Sequence, residues 1–349
     1  MCAPPLVDGD SSRGAAASEF PGRRAGSPPG RAAGLRRIPA VVATLLADLF
    51  ESHRGHLLAV AYRLTGSVAD AEDAVQESWL RLAGTSQSEI EDLRAWLTTV
   101  VSRLCLDRLR SAAVRRENYV GQWLPEPVVT PLTGAPGADP LAAVVQRQEF
   151  RMAALVVLDQ LTPPQRVAFV LHEGLQVPYG EIAGILDITP EAARQLAARA
   201  RKVVREQTPP VAADGEHDAA VQKLLVALGT GDARAVAAVL HPDAKMIGDA
   251  GGTTQTAHNI IYGPDKVARL FLGLIRRYGL DRPGVDFGAE DMEFVRVNGQ
   301  LGVLFYARPG DGDYPGFPSR VMGFTVVDGV IQGAYDHANP AKLQGVRLR

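Results

Sequence analysis

Seven acidic residues and a single base, Arg81, lie between Asp70 and Asp92, whereas six arginines and a single acid, Asp107, lie between Arg94 and Arg116. Neighbouring elements of opposite sign suit two different partners, a basic protein surface and a polyanion; the plainer alternative is an ordinary solvated surface. Arg103, Arg108 and Arg110 fall largely off the apolar stripe of Trp96, Val100, Leu104 and Leu106–Leu109, and Arg115 and Arg116 continue the run. An arginine fork can bind phosphate and can also stack on an unpaired base. Asp107 is expected to pair with a neighbouring arginine, and Trp96 to sit in the core.

A second basic surface lies further along. From Pro190, the residues Ala193, Leu196, Ala197, Ala200, Val203 and Val204 trace a buried stripe, while Arg194, Gln195, Arg199, Arg201, Lys202 and Arg205 fall mostly outside it. Small apolar residues inward and long hydrogen-bonding side chains outward are what a helix in the DNA major groove needs. Glu191, Arg194 and Gln195, near the helix start, are the candidates for base edges; Arg199, Arg201, Lys202 and Arg205 are candidates for phosphate. With a net charge of −2, nucleic-acid binding rests on this local distribution.

Other chemistries find little support. The two cysteines, Cys2 and Cys105, are far apart and the seven histidines show no HExxH, so neither a disulfide framework nor a metal or cofactor site is expected. The apolar stretch from Pro39 ends within a few residues at Asp48, too short to span a membrane. A reducing cytoplasm fits this cysteine usage.

Several elements must position these residues. Residues 1–40 are rich in Gly, Ala, Pro, Ser and Arg and are read as a disordered extension. Residues 41–119 carry helical periodicity, with Leu57, Leu58, Ala61, Tyr62 and Leu64 on one face and Ser67 capping the next helix. A third helix is expected from about Asp92 to Ala113. Residues 120–140, rich in proline and glycine, read as a linker, and 141–208 as helical again. There Tyr179 to Leu186, a turn at Asp187-Ile188, and a helix capped by Thr189 with Pro190 at its first position form a helix-turn-helix. Residues 211–349 open with a helix at about 217–229 and show strand-like runs at 285–297, 301–308 and 319–336, an α+β domain.

The run DAEDAVQESWLRL from Asp70, followed by AWLTTVVSRLCLDRLR from Ala95, resembles region 2 of extracytoplasmic-function sigma factors. The resemblance implies that Asp70, Glu72, Asp73, Gln76 and Glu77 face core RNA polymerase. It implies equally that the loop 84–91 with Arg103, Arg108 and Arg110 meets the −10 promoter DNA. Residues 161–205 resemble region 4, which reads the −35 element; the turn, where the family usually has glycine, carries Asp187. Asp visits left-handed backbone more easily than most residues.

The segments Leu225–Asp232, Val239–Asp243 and Ile261–Lys266 resemble SnoaL-like (NTF2-like) cone domains, and a sigma subgroup carries such an extension. Three hallmarks of that subgroup occur here. WLPEP stands intact as Trp123, Leu124, Pro125, Glu126 and Pro127; DGGG appears as Asp249-Ala250-Gly251-Gly252; NPDKL appears as Asn339-Pro340-Ala341-Lys342-Leu343. Trp123 and Leu124 are expected to dock on the C-terminal domain, because large apolar side chains gain about 1.5–3 kcal/mol on burial. His241, Asp243, Asp249, His258, Asp336 and His337 are candidates for lining a pocket; the domain reads first as a protein-interaction module, with small-molecule binding without turnover as the second reading.

The expected molecule is thus a cytoplasmic sigma factor with two all-α domains and a regulatory α+β cone domain, binding core polymerase and promoter DNA and performing no covalent chemistry. Two other classes compete: a stand-alone ligand-responsive helix-turn-helix regulator, and a cone-domain enzyme with a DNA-targeting arm. The first would bind duplex DNA without polymerase; the second would show turnover that fails when a pocket acid is neutralised.

Overall fold

The computed structural model describes residues 40–86, 88, 90–116, 119–132, 141, 151–281 and 291–346. The expected extension before Ala40, and much of residues 133–150, lie outside these.

Three helices, α1 (Ala40–Thr65), α2 (Val68–Gly84) and α3 (Leu93–Arg116), pack on one another. Ser67 accepts from the Asp70 amide at 3.2 Å and so starts α2. Leu57, Tyr62, Ala71, Val75, Leu97 and Val101 form the buried interior. Trp96 is only half-buried, packed against the rim of this core, and Cys105 is fully buried. Burial pushes the Cys105 thiol up to about 12, which leaves it unreactive at neutral pH.

Four more helices follow: α4 (Met152–Asp159), α5 (Pro163–Leu175), α6 (Tyr179–Leu186) and α7 (Pro190–Gln207). Thr162 and Gln165 form a capping box at the head of α5. Asp187 takes the left-handed conformation at φ 56° and turns the chain between α6 and α7, where Thr189 accepts from the Ala192 amide at 3.2 Å. Ala193, Ala197 and Ala200 are the buried face of α7. The two helical parts share a single hydrophobic core, although the sequence reading separates them by a flexible linker. Arg166 of α5, almost fully buried, donates to the Leu64 carbonyl at the end of α1 at 3.0 Å and to Asp159 at 3.2 Å. Burying a guanidinium is tolerable only because these acceptors meet it.

The remaining elements are α8 (Asp214–Gly229), α9 (Ala233–Ala238), α10 (Pro264–Arg277) and a seven-stranded sheet. Its strands are β1 (Val129–Pro131), β2 (Leu240–Asp249), β3 (Ile261–Tyr262), β4 (Met292–Val297), β5 (Gln300–Phe305), β6 (Arg320–Val327) and β7 (Val330–His337). The order is β1-β4-β5-β6-β7-β2-β3, with β2 parallel to β7 and the other pairings antiparallel. Two details depart from the sequence reading. The longest strand, β2, was not expected, and part of the presumed linker is β1, hydrogen-bonded to the sheet edge at β4. Pro131 is tolerated there because an edge strand has one side free of ladder bonds.

The two faces of the sheet have different duties. Met246, Val303, Met322, Phe324 and Ala334 pack against α8 and α10. Ile247 and Tyr335 point the other way and join Leu124, Met152 and Ala153. With the side-chain period of two, Asp249 and His337 share that second face. No helix of the described residues is long and apolar enough to cross a membrane.

Candidate functional site

The segment from Tyr119 to Pro131 lies in a joint made of the two motifs that the sequence singled out at 249–252 and 339–343. Asp249, at the end of β2 and with no exposed surface, receives three donors. They are the Leu124 amide at 2.7 Å, the Lys342 ammonium at 2.6 Å and the Tyr119 hydroxyl. Lys342 Nζ also donates to the Leu124 carbonyl at 2.5 Å and lies 4.0 Å from the Trp123 ring centroid, a cation–π arrangement. Asn339 donates to the Tyr119 hydroxyl at 2.8 Å, and its own carbonyl oxygen caps Ala341. Gly251 and Gly252 have φ of +56° and +74°. A Cβ on Gly251 would stand 2.5 Å from Asn339 Nδ2, so both conformation and space require glycine.

The other side of the segment grips the first helical domain. Glu126 accepts from the Val68 amide at 2.5 Å and the Ser67 hydroxyl at 3.0 Å. A carboxylate here neutralises unpaired amides at the positive end of α2, the helix that carries the acidic face. Burial raises the Glu126 carboxyl above the usual range, and the bonds from Val68, Ser67 and Ala69 oppose that rise. The Tyr62 hydroxyl donates to the Glu126 carbonyl at 2.6 Å and accepts from Asn298 at 2.9 Å, joining α1, the segment and the β4–β5 turn. Leu124 is fully buried and Pro125 and Pro127 are buried, while Trp123 is half-buried and Pro340 exposed.

His337 sits behind this joint, fully buried, with both ring nitrogens lacking a partner among the described residues. Burial lowers its pKa to about 3, with Asp249 opposing and Lys342 assisting. A base with a depressed folded pKa stabilises fully above its unfolded value of 6.5 and loses that contribution as pH falls toward about 3. Replacing His337 by leucine is therefore expected to leave the thermal midpoint at neutral pH unchanged or higher, and to flatten its fall between neutral pH and mild acid. A wild-type acid slope in the variant would contradict this.

The acidic face of α2 is accessible: Glu72, Asp73 and Gln76 are exposed beside Leu80. Glu77 is half-buried and pairs with Arg81 at 3.3 Å, and Asp70 stands 3.9 Å from Arg108 of α3. Two residues expected to meet different partners thus sit beside each other. Arg110 pairs with Asp107 at 3.7 Å, as the sequence reading expects of Asp107. Arg103 donates to the Gly184 carbonyl of α6 at 2.8 Å and so binds the helix-turn-helix in this arrangement. The side chains of Arg115 and Arg116 lie outside the described residues.

On α7, Thr189, Glu191, Arg194, Gln195, Arg199, Arg201, Lys202 and Arg205 are all exposed. Arg194 lies 5.4 Å from the Tyr179 ring, and Arg201 is held by Glu173 of α5 at 2.5 Å. The sequence reading did not single out Glu173, Tyr119, Arg166 or Arg320 and placed Tyr62 only on a helix face, because each acts through a partner distant in the chain.

The cone holds a cavity of about 550 Å³, partly open to solvent, between the sheet, α8 and α10, with Leu224, Met246, Phe271, Met322 and Phe324 among its walls. None of the six residues expected to line a pocket belongs to this lining. Asp249 and His337 lie on the opposite face of the sheet. His241 bonds the Asp243 amide, and Asp336 stands behind Arg320, bonded to it.

Models of two families match: Sigma-70 region 2 over residues 49–115 and Sigma-70, region 4 over residues 151–204. The chain is similar to the ECF RNA polymerase sigma factor SigJ of Mycobacterium tuberculosis, 50% identical over 302 residues that cover 86% of this chain and 94% of that protein. It is 34% identical to the probable ECF RNA polymerase sigma factor SigI of the same organism over 227 residues, 64% of this chain and 74% of that one. The crystal structure of Mycobacterium tuberculosis SigJ superposes with a TM-score of 0.72 at 47% identity, covering 87% of this chain and all of that one. With both helical parts matched and half the aligned residues shared across nearly the whole of a relative, this chain belongs to the extracytoplasmic-function RNA polymerase sigma factors.

Proposed function

We propose that the chain binds core RNA polymerase through Glu72, Asp73 and Gln76, with Asp70 and Glu77 at the margin of that face. It captures −10 DNA through Arg103, Arg108 and Arg110 and reads −35 DNA through α7. The C-terminal domain regulates these steps in cis, without covalent chemistry, and its cone holds a small molecule. The site of action is the cytoplasm, where polymerase and promoter are found. The observation that carries the regulatory part is the Asp249–Lys342 pair clasping Leu124, since the same segment bears Glu126 on the head of α2.

In this arrangement Arg103 is spent on Gly184 and regions 2 and 4 share a core, so the two must part before Arg103 meets the promoter. The joint sets how readily they part. A Trp123→Ala, Leu124→Ala double variant reconstituted with core polymerase is expected to change run-off transcription while still binding core. Unaltered promoter output would refute regulation through the joint, and absence of core binding by the wild-type chain would refute the whole reading.

The Arg201–Glu173 pair makes a separate prediction. Glu173→Gln releases Arg201 for phosphate, so −35 duplex binding should tighten at low salt, and the log–log salt slope should steepen by up to about 1. An unchanged slope would mean that Arg201 never reaches the backbone.

A further inference from the structure

The outer face of α10 carries charge of one sign. Lys266, Arg269, Arg276 and Arg277 are exposed there around an exposed Gly273, while Val267, Ala268, Phe271 and Leu272 form the buried side. The turn of 3.6 residues puts these five exposed positions in one stripe, with Asp265 at its edge. Among the described residues none of the four cations is in an ion pair, whereas Arg296 is met by Asp218, Arg320 by Asp336 and Lys342 by Asp249. Helix α9, packed against α10, adds an exposed Arg234, with Asp232 as its cap.

The needs of the helix do not account for this stripe. Arg276 and Arg277 suit its negative end, but Lys266 in the first turn opposes the dipole, and an interior glycine weakens a helix. A Cβ at Gly273 would meet nothing within 4 Å, so packing does not require glycine there. What glycine provides is bare backbone between Lys266 and Arg269 on one side and Arg276 and Arg277 on the other, where a partner's own backbone can come close. Lys266 and Arg277 stand about 16 Å apart along the axis. Such a row suits an extended polyanion, and duplex DNA carries a charge roughly every 1.7 Å of its length. The sheet has α8 and α10 on one face and Leu124 and Met152 on the other. The phosphates that reach α10 are therefore not those beneath α7 but those of duplex flanking the −35 element.

We propose that the outer face of α10 is a second duplex-DNA surface, holding the phosphate backbone that flanks the −35 element with one strand seated over Gly273. This rests on the reading that α7 binds promoter DNA and adds a sequence-independent contact made by the cone domain. The test titrates the full chain at several salt concentrations onto two duplexes, one confined to the −35 element and one longer by about two helical turns on each side. Lys266→Gln, Arg269→Gln, Arg276→Gln and Arg277→Gln together should weaken the long duplex by about tenfold or more and flatten its log–log salt slope by about 2 to 3, leaving the short duplex unchanged. Arg199→Gln with Lys202→Gln on α7 should weaken both duplexes. Gly273→Leu keeps every charge and favours the helix, so the thermal midpoint should hold or rise while the long duplex alone weakens by about threefold or more.

Unchanged long-duplex binding in the fourfold variant, with the α7 variant impaired, would overturn the proposal and leave the α7 reading standing. Wild-type binding by both variants would overturn the α7 reading as well. Equal weakening of the two duplexes by the fourfold variant would overturn the placement on flanking DNA, and an unweakened Gly273→Leu the seating over Gly273. If the cations instead meet the acidic face of α2 on a second copy, the wild type would sediment as a dimer at low salt, the fourfold variant as a monomer, and the long duplex would be held equally by both. That result would also overturn it.

Discussion

Asp249→Ala is expected to destabilise the chain by about 3–5 kcal/mol, the usual cost of stranding one member of a buried ion pair. Lys342 would keep its ammonium in a site with little exposure, and the Leu124 amide and Tyr119 hydroxyl would lose the same acceptor. The loss is concentrated on the segment, so limited proteolysis should cut between Tyr119 and Pro131 before either flanking domain unfolds. At a temperature where the variant is folded, run-off transcription with core polymerase should rise, because the C-terminal domain no longer holds the segment that caps α2. A second replacement, Lys342→Met in the Asp249→Ala background, removes the stranded charge and should recover part of the stability without restoring the wild-type cleavage pattern. A loss of about 1 kcal/mol or less for Asp249→Ala would mean that the joint is not a buried electrostatic clasp.

Arg166→Met is expected to cost a similar amount, about 3–5 kcal/mol, but to act elsewhere. Arg166 joins α5 to the last turn of α1 through the Leu64 carbonyl, and it satisfies Asp159 on α4. Methionine fills most of the volume but offers no donor, so a buried carbonyl and a carboxylate lose these bonds. Denaturant unfolding of the helical part, which the shared core should make a single step in the wild type, is expected to split so that regions 2 and 4 separate. The Arg103–Gly184 bond depends on the same packing and would be lost at the first step. A single unfolding step with an unchanged midpoint would show that Arg166 does not hold the two regions together.

Much of this architecture was legible in the residues. The apolar stripes at helical spacing, Ser67 and Thr189 as caps, and Asp187 as the left-handed corner are local signals, and local signals survive folding. Strand β2 escaped notice because His241, Pro242 and Asp243 interrupt it after its first residue, and its pairing with β7 shifts register between Leu240 and Lys245. β1 escaped because Pro125, Pro127 and Pro131 look like a linker, and only the β4 edge gives Val129–Pro131 a partner. In the joint, Trp123, Asp249 and Lys342 could each be named from motifs, whereas Tyr119 and Tyr62 belong to no motif and owe their place to bonds across 130 and 236 residues of chain with Asp249 and Asn298. The pocket failed for a simpler reason. Polar type alone does not tell which face of a strand a residue occupies, and Asp249 and His337 fall on the face turned from the cone.

The most direct test of the account is the separation between α1 and α7, measured by energy transfer between dyes on the exposed positions Glu51→Cys and Glu206→Cys, which lie outside the proposed polymerase and DNA contacts. Cys2→Ser leaves Cys105 as the remaining native thiol, fully buried with its pKa pushed up to about 12, so labelling is confined to the two new sites. In the free chain the transfer should be high and uniform. On addition of core polymerase and promoter DNA it should fall as regions 2 and 4 part, and it should fall more readily in Asp249→Ala. High transfer maintained in an actively transcribing complex would contradict the claim that this closed arrangement must open for the chain to work.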